Sequence, residues 1–358
     1  MIGIIDFIPI MIIIFIMWNA KVMKAPAGTV LDDCLSFGRT KQYRGLFAII
    51  VVLHHLSQKT TTGFLFPCFA DMGNLAVAFF FFLTGYGLQK QYILKGEEYR
   101  KGFLQKRISA VFIPYLLMTI VYWFVAWLSG SHYSLYDIVN RIITGEPIVT
   151  YSWYIICILV FYFVFWAMML LCRKPNAIIA LSIIWIGIYA VLCYKLGYDT
   201  WWYLSSHLLI AGIIYGTYET RITSVIRKHY GAFFFGTWTA FATLVIFYPM
   251  LLSVVTHQFA LSCLYYCVES LLFVVGFLLL THKVHIESRV LNKAGEISLE
   301  IYLSHGLFIN LFHNLISVHH DFFMCICVCA STWVFSIVFH LLFKTLYRRI
   351  NGVKTRSS

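Results

Sequence analysis

Residues 152–195 read SWYIICILVFYFVFWAMMLLCRKPNAIIALSIIWIGIYAVLCYK. Two long apolar runs, 152–172 and 177–195, flank a short basic link that contains Arg173 and Lys174. Each run has the length that a helix needs to cross the hydrocarbon core of a bilayer, about 20 residues. Strands of a membrane barrel would instead alternate apolar and polar residues over about ten positions. The stretch therefore predicts two membrane-spanning helices joined by a short turn.

The composition of the whole chain favours the same class of protein. Its 358 residues are 61% hydrophobic, 18% aromatic and 12% charged, with a mean hydropathy of +0.81. Soluble domains typically carry about 25% charged residues, so this chain lacks the polar surface to face water alone. In hydrocarbon every backbone polar group needs an internal partner, which runs of this length obtain as helices. We predict an all-α integral membrane protein.

Ten core spans follow from the apolar runs, and a further hydrophobic segment, 1–20, precedes them. That segment contains Asp6 and is barely long enough to cross, so an extra span, an uncleaved anchor and an upstream extension stay open. We expect a cytoplasmic polar linker at 21–42, the ten-helix membrane domain at 43–345 and a basic cytoplasmic tail at 346–358. The predicted spans are 43–57, 72–90, 110–128, 152–172, 177–195, 201–217, 232–256, 260–281, 297–316 and 322–343.

The placement of Lys and Arg predicts the orientation of these spans. All but three of the 27 basic residues, Lys59, Arg141 and Lys195, fall in clusters that recur after every second span. Cytoplasmic loops of membrane proteins carry this excess. We therefore expect a multi-pass protein of the inner (plasma) membrane with its basic loops and C-terminus in the cytoplasm. The net charge of +12 is then a topology signal, because no continuous basic stripe is present that would bind a nucleic acid.

The ten cysteines predict neither a disulfide framework nor a metal site. They lie mostly inside apolar spans and form no CxxC pair. Cys325, Cys327 and Cys329 alternate along one predicted helix, so they point in different directions and fill apolar space. The chain also lacks the G-x-S-x-G and H-E-x-x-H motifs and a phosphate-binding Gly-rich loop with Lys, which argues against a serine hydrolase, a zinc protease and an ATPase.

The first core span places Arg44 and His55 eleven residues apart. At 3.6 residues per turn the two side chains lie within roughly 20° of one helix face, about 16 Å apart along the axis, while His54 points about 80° away. Ionisable side chains inside a membrane are functional candidates. The simpler interpretation is that Arg44 extends to the lipid headgroups and His55 bonds to a neighbouring helix.

The sequences YRG at 43–45 and VVLHH at 51–55 resemble the signature of membrane acyltransferase family 3, the bacterial polysaccharide O-acetylases. The resemblance covers about 41 to 345, and four further stretches follow in the family's order. One position departs from it, because many members carry a second Arg where this chain has Ala110. The four stretches are FFFFLTGY at 79–86 ending in Tyr86; Lys106-Arg107 with Pro114-Tyr115; Trp153-Tyr154 with Tyr162; and Gly295, Ser298, Tyr302, Leu303 and His305.

The resemblance implies transfer of an acyl group, usually acetyl, from cytoplasmic acyl-CoA to a hydroxyl of an extracytoplasmic sugar or glycan. Acyl-CoA is then the donor substrate, and no metal is expected. The implied catalytic residues are His55 and Arg44, and Arg44, Lys106 and Arg107 would hold the phosphates of CoA by charge-assisted hydrogen bonds. His55 would act as general base on the acceptor hydroxyl, with a covalent acyl-histidine as the variant mechanism.

Several further residues are candidates for substrate binding or support. Ser298, Tyr302 and His305 share one predicted helix face, either toward the substrate or toward neighbouring helices. Tyr86, Trp153 and Tyr154 belong to the matched stretches, although Trp153 and Tyr154 also lie where an aromatic belt would lie.

The polar connection 129–151 is either a lid over an outer pocket or an interfacial helix with no catalytic role. Glu269 lies inside a predicted span and needs a partner or a wet cavity, and we assign it no role.

A transporter or flippase for lipid-linked sugars is the chief alternative function. It would also show many spans, scattered charges inside the membrane and a polar outer loop. Such a protein would not depend on CoA. The acceptor and the length of the acyl chain are left open by the sequence.

Overall fold

The computed structural model describes residues 3–316 and 320–350, with side chains up to residue 345 apart from 251–257. Most of the predicted tail 346–358 lies outside these residues. Within them the chain is a bundle of helices with two short strands, β1 Lys21–Lys24 and β2 Val284–Glu287. The helices are α1 Phe7–Met17, α2 Phe37–Ser57, α3 Met72–Lys95, α4 Glu97–Arg100, α5 Phe103–Leu128, α6 Leu135–Ile143, α7 Trp153–Leu171, α8 Pro175–Lys195, α9 His207–His257, α10 Phe259–Thr281, α11 Arg289–Glu296, α12 Ser298–Leu315 and α13 Asp321–Ile350.

Seven helices of the described chain are long and apolar enough to cross a membrane. They are α3, α5, α7, α8, α9, α10 and α13, which makes this an all-α membrane protein. Two of the ten predicted spans, those on α2 and α12, correspond to helices with more polar residues. Two others, 201–217 and 232–256, lie largely within the range of α9, in which helices are joined across kinks at Tyr218 and His229. The count of ten therefore stays a prediction.

The basic loops meet at one end of the bundle, here called the basic end. Arg173 pairs with Glu97 at 3.6 Å, and Arg227 pairs with Asp32. The first contact joins the loop after α7 to α4, and the second joins the middle of α9 to the segment before α2. The opposite end holds His54 and His55 and is called the histidine end.

The predicted linker 21–42 is ordered at the basic end. Lys21–Lys24 pairs antiparallel with Val284–Glu287, and Lys21 lies opposite Glu287. Helix α2 begins at Phe37, six residues before the predicted span, because its first turns are helical but too polar for a hydropathy pattern to mark them. The amide oxygen of Gln42 accepts a hydrogen bond from the Ser288 backbone N–H at 2.8 Å, which fastens α2 to the loop before α11.

The N-terminal helix α1 contacts both ends of the bundle. At the histidine end the Asp6 carboxylate accepts hydrogen bonds from the backbone N–H groups of Phe64, Leu65 and Phe66 at 2.8–3.1 Å. At the basic end the Ser288 hydroxyl donates to the Ile16 carbonyl at 2.7 Å. This segment is a shorter apolar helix than the candidate spans, so the three interpretations of residues 1–20 stay open.

Glycines allow α3 and α9 to pack closely. A Cβ atom added at Gly85 would lie 2.0 Å from the Leu209 carbonyl oxygen, and one added at Gly212 would lie 2.1 Å from the Phe82 carbonyl oxygen. Small residues at such crossings let helix backbones approach in a membrane. The contact holds α9 against the helix that carries the predicted Phe-rich motif.

Replacing Gly85 by Ala should therefore destabilise the bundle, because the new methyl group overlaps the α9 backbone. We expect a cost of about 1–3 kcal/mol and a lower melting temperature in detergent, followed by Trp fluorescence. Gly187→Ala on α8 is the matched control, since no atom lies within 4 Å of its added Cβ. Equal melting temperatures for the two variants would contradict the close α3–α9 contact.

Candidate functional site

Two cavities lie at opposite ends of α2. The first, called the His55 cavity, has a volume of about 1070 Å³, and the second, called the Arg44 cavity, about 780 Å³. Both are in the size range of small-molecule sites. Tyr302 lines both cavities, so it lies between them. The His55 cavity is lined by residues that include His54, His55, Gln58, Asp71, Asn74, Tyr122, Arg141, Glu146, Tyr151, Trp153, Tyr248, Tyr266, Glu269 and Asn310. The Arg44 cavity is lined by residues that include Arg44, Tyr86, Lys90, Arg107, Tyr154, Tyr162 and Ser298.

The His55 imidazole lies among three aromatic rings at the last turn of α2. Its ring stacks on Tyr151 at a centroid distance of 3.6 Å and an interplanar angle of 12°. The His305 ring lies 5.2 Å away at 24°, and the His54 ring lies 4.5 Å away at 60°. Two contacting rings come from parts of the chain far from α2, so the imidazole is held by tertiary packing.

Tyr151 adopts an uncommon backbone conformation beside His55. Its φ is 65°, in the left-handed region, which costs a non-glycine residue about 1–3 kcal/mol. The Tyr302 hydroxyl donates a 2.6 Å hydrogen bond to the Tyr151 carbonyl. Burial raises the pKa of the Tyr151 phenol, so the ring that stacks on His55 stays neutral. Tyr302 thus braces the backbone that supports the His55 ring.

The Arg44 cavity contains two guanidinium groups. Arg44 lies on α2 and its Nε atom is buried without a hydrogen-bond partner among the described residues. Arg107 donates to the Tyr99 hydroxyl at 2.9 Å and lies over the Tyr99 ring, 5.8 Å from its centroid. The buried, unpartnered Nε–H of Arg44 suits an anion with several oxygens, because a planar guanidinium binds such groups in pairs.

Two other predicted donor-site residues have different positions. Lys106 is exposed near the start of α5 and does not line the Arg44 cavity. Tyr86 lines the cavity, but its hydroxyl donates to Glu219 at 2.9 Å. Lys90 pairs with the same carboxylate. Glu219 thus partners two polar groups at the cavity wall, and among the described residues neither Arg44 nor Arg107 has a carboxylate partner.

Of the predicted residues of α12, Ser298 lines the Arg44 cavity, Tyr302 lines both cavities and His305 lines neither. Ser298 lines the Arg44 cavity and its hydroxyl donates to the Gly295 carbonyl at 3.2 Å. His305 is fully buried next to His55, with Nδ1 3.2 Å from the Ile301 carbonyl and Nε2 without a partner. Tyr302 lies between them in sequence and joins the two regions.

Trp153 and Tyr154 face different cavities although they are adjacent in sequence. Trp153 lines the His55 cavity and packs against Trp202 at a centroid distance of 6.0 Å. Tyr154 lines the Arg44 cavity, and its ring lies 5.8 Å from that of Tyr302 at 67°. These residues therefore bracket the junction of the two cavities.

The connection 129–151 borders the His55 cavity. Helix α6 within it begins with a capping box in which the Ser134 hydroxyl and backbone N–H donate to Asp137 at 2.6 and 2.8 Å, and these bonds lower the pKa of that carboxyl. Arg141 lies over the Tyr133 ring, 5.6 Å from its centroid, and both line the cavity. The apolar side chains Leu135, Tyr136 and Ile143 are exposed, so both predicted roles, a lid and an interfacial helix, stay open.

Sequence reasoning missed Tyr151, Gln58 and Asp71, and assigned no role to Glu269. All four line the His55 cavity. Tyr151 lies within the predicted polar loop, and nothing in its local sequence signals contact with His55. Glu269 carried the one usable signal, since a carboxylate inside an apolar span needs a wet cavity.

Residues 42–341 match a family described as an acyltransferase domain. The matched region includes α2 and α12, which contribute to the walls of both cavities. The chain belongs to membrane acyltransferase family 3. Neither a curated protein nor a solved structure matches it. No cluster of three or more His, Cys, Asp or Glu that would suit a metal ion occurs in the described part of this acyltransferase.

Replacing Tyr302 by Phe should destabilise this acyltransferase, because the Tyr151 carbonyl would lose its donor while its left-handed backbone remains. An unpaired buried polar group costs about 1–3 kcal/mol, so we expect a lower melting temperature in detergent. Tyr218→Phe removes a hydrogen bond of 2.9 Å to Asn176 at an exposed position and serves as the control. An unchanged melting temperature for Tyr302→Phe would show that the brace contributes nothing.

Proposed function

We propose that this acyltransferase moves an acyl group, most simply acetyl, from cytoplasmic acyl-CoA to a hydroxyl of an extracytoplasmic sugar or glycan. The observation that carries the proposal is the pair of cavities at opposite ends of α2, which meet at Tyr302. One contains the guanidinium groups of Arg44 and Arg107, and the other holds an imidazole. Family membership favours this activity over the transporter or flippase.

Arg44 and Arg107 form the donor half of the proposed site. The phosphates of CoA would bind to their guanidinium groups, where charge-assisted hydrogen bonds are strong. The pantetheine arm is narrow and extended, so it would lie along α2 toward Tyr302. Lys106, exposed on the same helix as Arg107, would attract the donor before it enters. The excess of Lys and Arg at this end supports its assignment to the cytoplasm.

His55 forms the reactive half of the proposed site. A neutral imidazole nitrogen would take the proton of the acceptor hydroxyl as the hydroxyl oxygen attacks the thioester carbonyl carbon. The carbon–sulfur bond then breaks, and the CoA thiolate leaves and takes up the proton from the imidazolium. The products are an O-acyl ester and CoA with a free thiol, and the histidine returns to its neutral state.

The other walls of the His55 cavity support a polyhydroxylated acceptor. Trp153 and Tyr151 present aromatic faces, on which the apolar face of a sugar ring can pack. Asp71 and Glu269 supply carboxylate oxygens that accept hydrogen bonds from hydroxyl groups. The Tyr248 and Tyr266 hydroxyls, 3.1 Å apart, add further polar atoms. This mixture suits a sugar or glycan better than an apolar acceptor.

Replacing His55 by Ala should abolish most acyl transfer, because a general base contributes about 10²- to 10⁴-fold to the rate. The measurement is mass spectrometry of surface glycans from cells that carry the variant, compared with a deletion strain. His132→Ala, which changes an exposed histidine in the connection 129–151, is the control and should retain acetylation. Full acetylation with His55→Ala would rule out His55 as the base.

Replacing Arg44 by Ala should weaken binding of acyl-CoA. A hydrogen bond to a charged group contributes about 1.5–3 kcal/mol, which corresponds to a rise in Kd of about 10- to 100-fold. Binding of labelled acetyl-CoA to purified protein in detergent measures it. Lys228→Ala removes an exposed cation at the same end and should leave Kd unchanged. A wild-type protein that binds no acyl-CoA would instead favour a transporter.

A further inference from the structure

A chain of hydrogen bonds connects the two histidines of α2 to a backbone carbonyl. The His54 Nδ1 atom lies 3.2 Å from the Phe69 carbonyl oxygen. The His54 Nε2 atom lies 3.3 Å from the Gln58 amide nitrogen, and the Gln58 amide oxygen lies 3.3 Å from His55 Nδ1. Gln58 is the first residue after α2, and it faces the His55 cavity.

The Phe69 carbonyl determines the direction of every bond in this chain. A carbonyl oxygen only accepts, so His54 Nδ1 must carry a proton. In a neutral His54 the Nε2 atom is then an acceptor, which requires Gln58 to present its NH₂ group there. The other end of the amide, its oxygen, therefore faces His55, and His55 Nδ1 must carry a proton. With the amide reversed, the Gln58 oxygen would face the unprotonated His54 Nε2 atom, and both are acceptors.

We propose that Gln58 is a positioning residue that keeps the proton of His55 on Nδ1 and leaves Nε2 as the basic nitrogen. His55 Nε2 has no hydrogen-bond partner among the described residues, so its lone pair is available to a substrate in the cavity. The tautomer follows from the hydrogen bonds alone, whereas its effect on the reaction rests on the proposed function. A histidine with the opposite tautomer would present an N–H to the acceptor hydroxyl and could not take its proton.

The surroundings hold both rings in the orientation that the chain requires. Gly73 leaves room for the His54 ring, because a Cβ atom there would lie 2.3 Å from His54 Nε2. Tyr151 covers one face of the His55 ring. The titratable and charged groups that face His55 are His54 on its own helix, Lys59 just beyond it, Tyr151 from the connection before α7, and His305 on α12. None of these supplies an acceptor for Nδ1–H, so that task falls to Gln58.

Two variants of Gln58 separate positioning from simple structural support. Gln58→Leu removes the acceptor for Nδ1–H, and we expect kcat to fall about tenfold or more while KM for acyl-CoA is unchanged. Gln58→Glu loses the donor to His54 Nε2 but keeps an oxygen for the His55 Nδ1–H, so kcat should stay within about threefold of the wild-type value. Gln105→Leu, an exposed position on α5 away from both cavities, is the control and should retain kcat.

¹⁵N NMR can identify directly which nitrogen of His55 carries the proton. In ¹⁵N spectra of histidine-labelled full-length protein, assigned by the signals that disappear in His55→Ala, we expect the proton on Nδ1 in the wild type and in Gln58→Glu. In Gln58→Leu a substantial share should move to Nε2. A wild-type His55 with its proton on Nε2, or a Gln58→Leu protein with unchanged tautomer and kcat, would overturn the proposal. Because the spectrum needs no turnover, an inactive wild-type protein would refute the proposed function and still leave Gln58 tested.

Discussion

Lipid cannot solvate the polar groups of α2, and the rest of the bundle is arranged around that constraint. Arg44 near one end and His54 and His55 at the other would each carry a large cost if they faced hydrocarbon. Helices α3, α11 and α12 all pack against α2. The more apolar helices α5, α7 and α8 expose large hydrophobic side chains instead. The polar helix is therefore interior, and the apolar helices meet the lipid.

An interior polar helix creates the conditions for two separate sites. The guanidinium and imidazole groups lie at its two ends, and each lines a cavity that reaches toward the nearer surface. Tyr302 stands at the junction, where its hydroxyl bond to the Tyr151 carbonyl joins α12 to the connection before α7. One tyrosine thus lines the Arg44 cavity and the His55 cavity and supports the ring that stacks on His55. In the reaction proposed above, Tyr302 would stand between the donor and the acceptor.

The sequence predicted the helices best where hydropathy alone decides them. The runs of α7 and α8 are long, apolar and interrupted only by a basic turn, so their limits agree with the structure to within a few residues. Prediction was poorer where polar residues lie in a helix, as in the first turns of α2 and in the stretch with Arg221 and Arg227 between the two kinks of α9. A hydropathy pattern marks only the apolar part of a helix, whereas backbone hydrogen bonding continues the helix into polar residues.

The sequence by itself determined the membrane class, the basic end and the common helix face of Arg44 and His55, because each depends on composition or on spacing within one helix. Only the tertiary structure decided that Tyr151 stacks on His55, that Lys106 lies outside the cavity of Arg44, and that Glu269 lines the cavity of His55. Those contacts join residues separated by tens to hundreds of positions. They depend on which helices pack together. The shapes of whole helix surfaces determine that packing, and the spacing of residues within one helix does not reveal it.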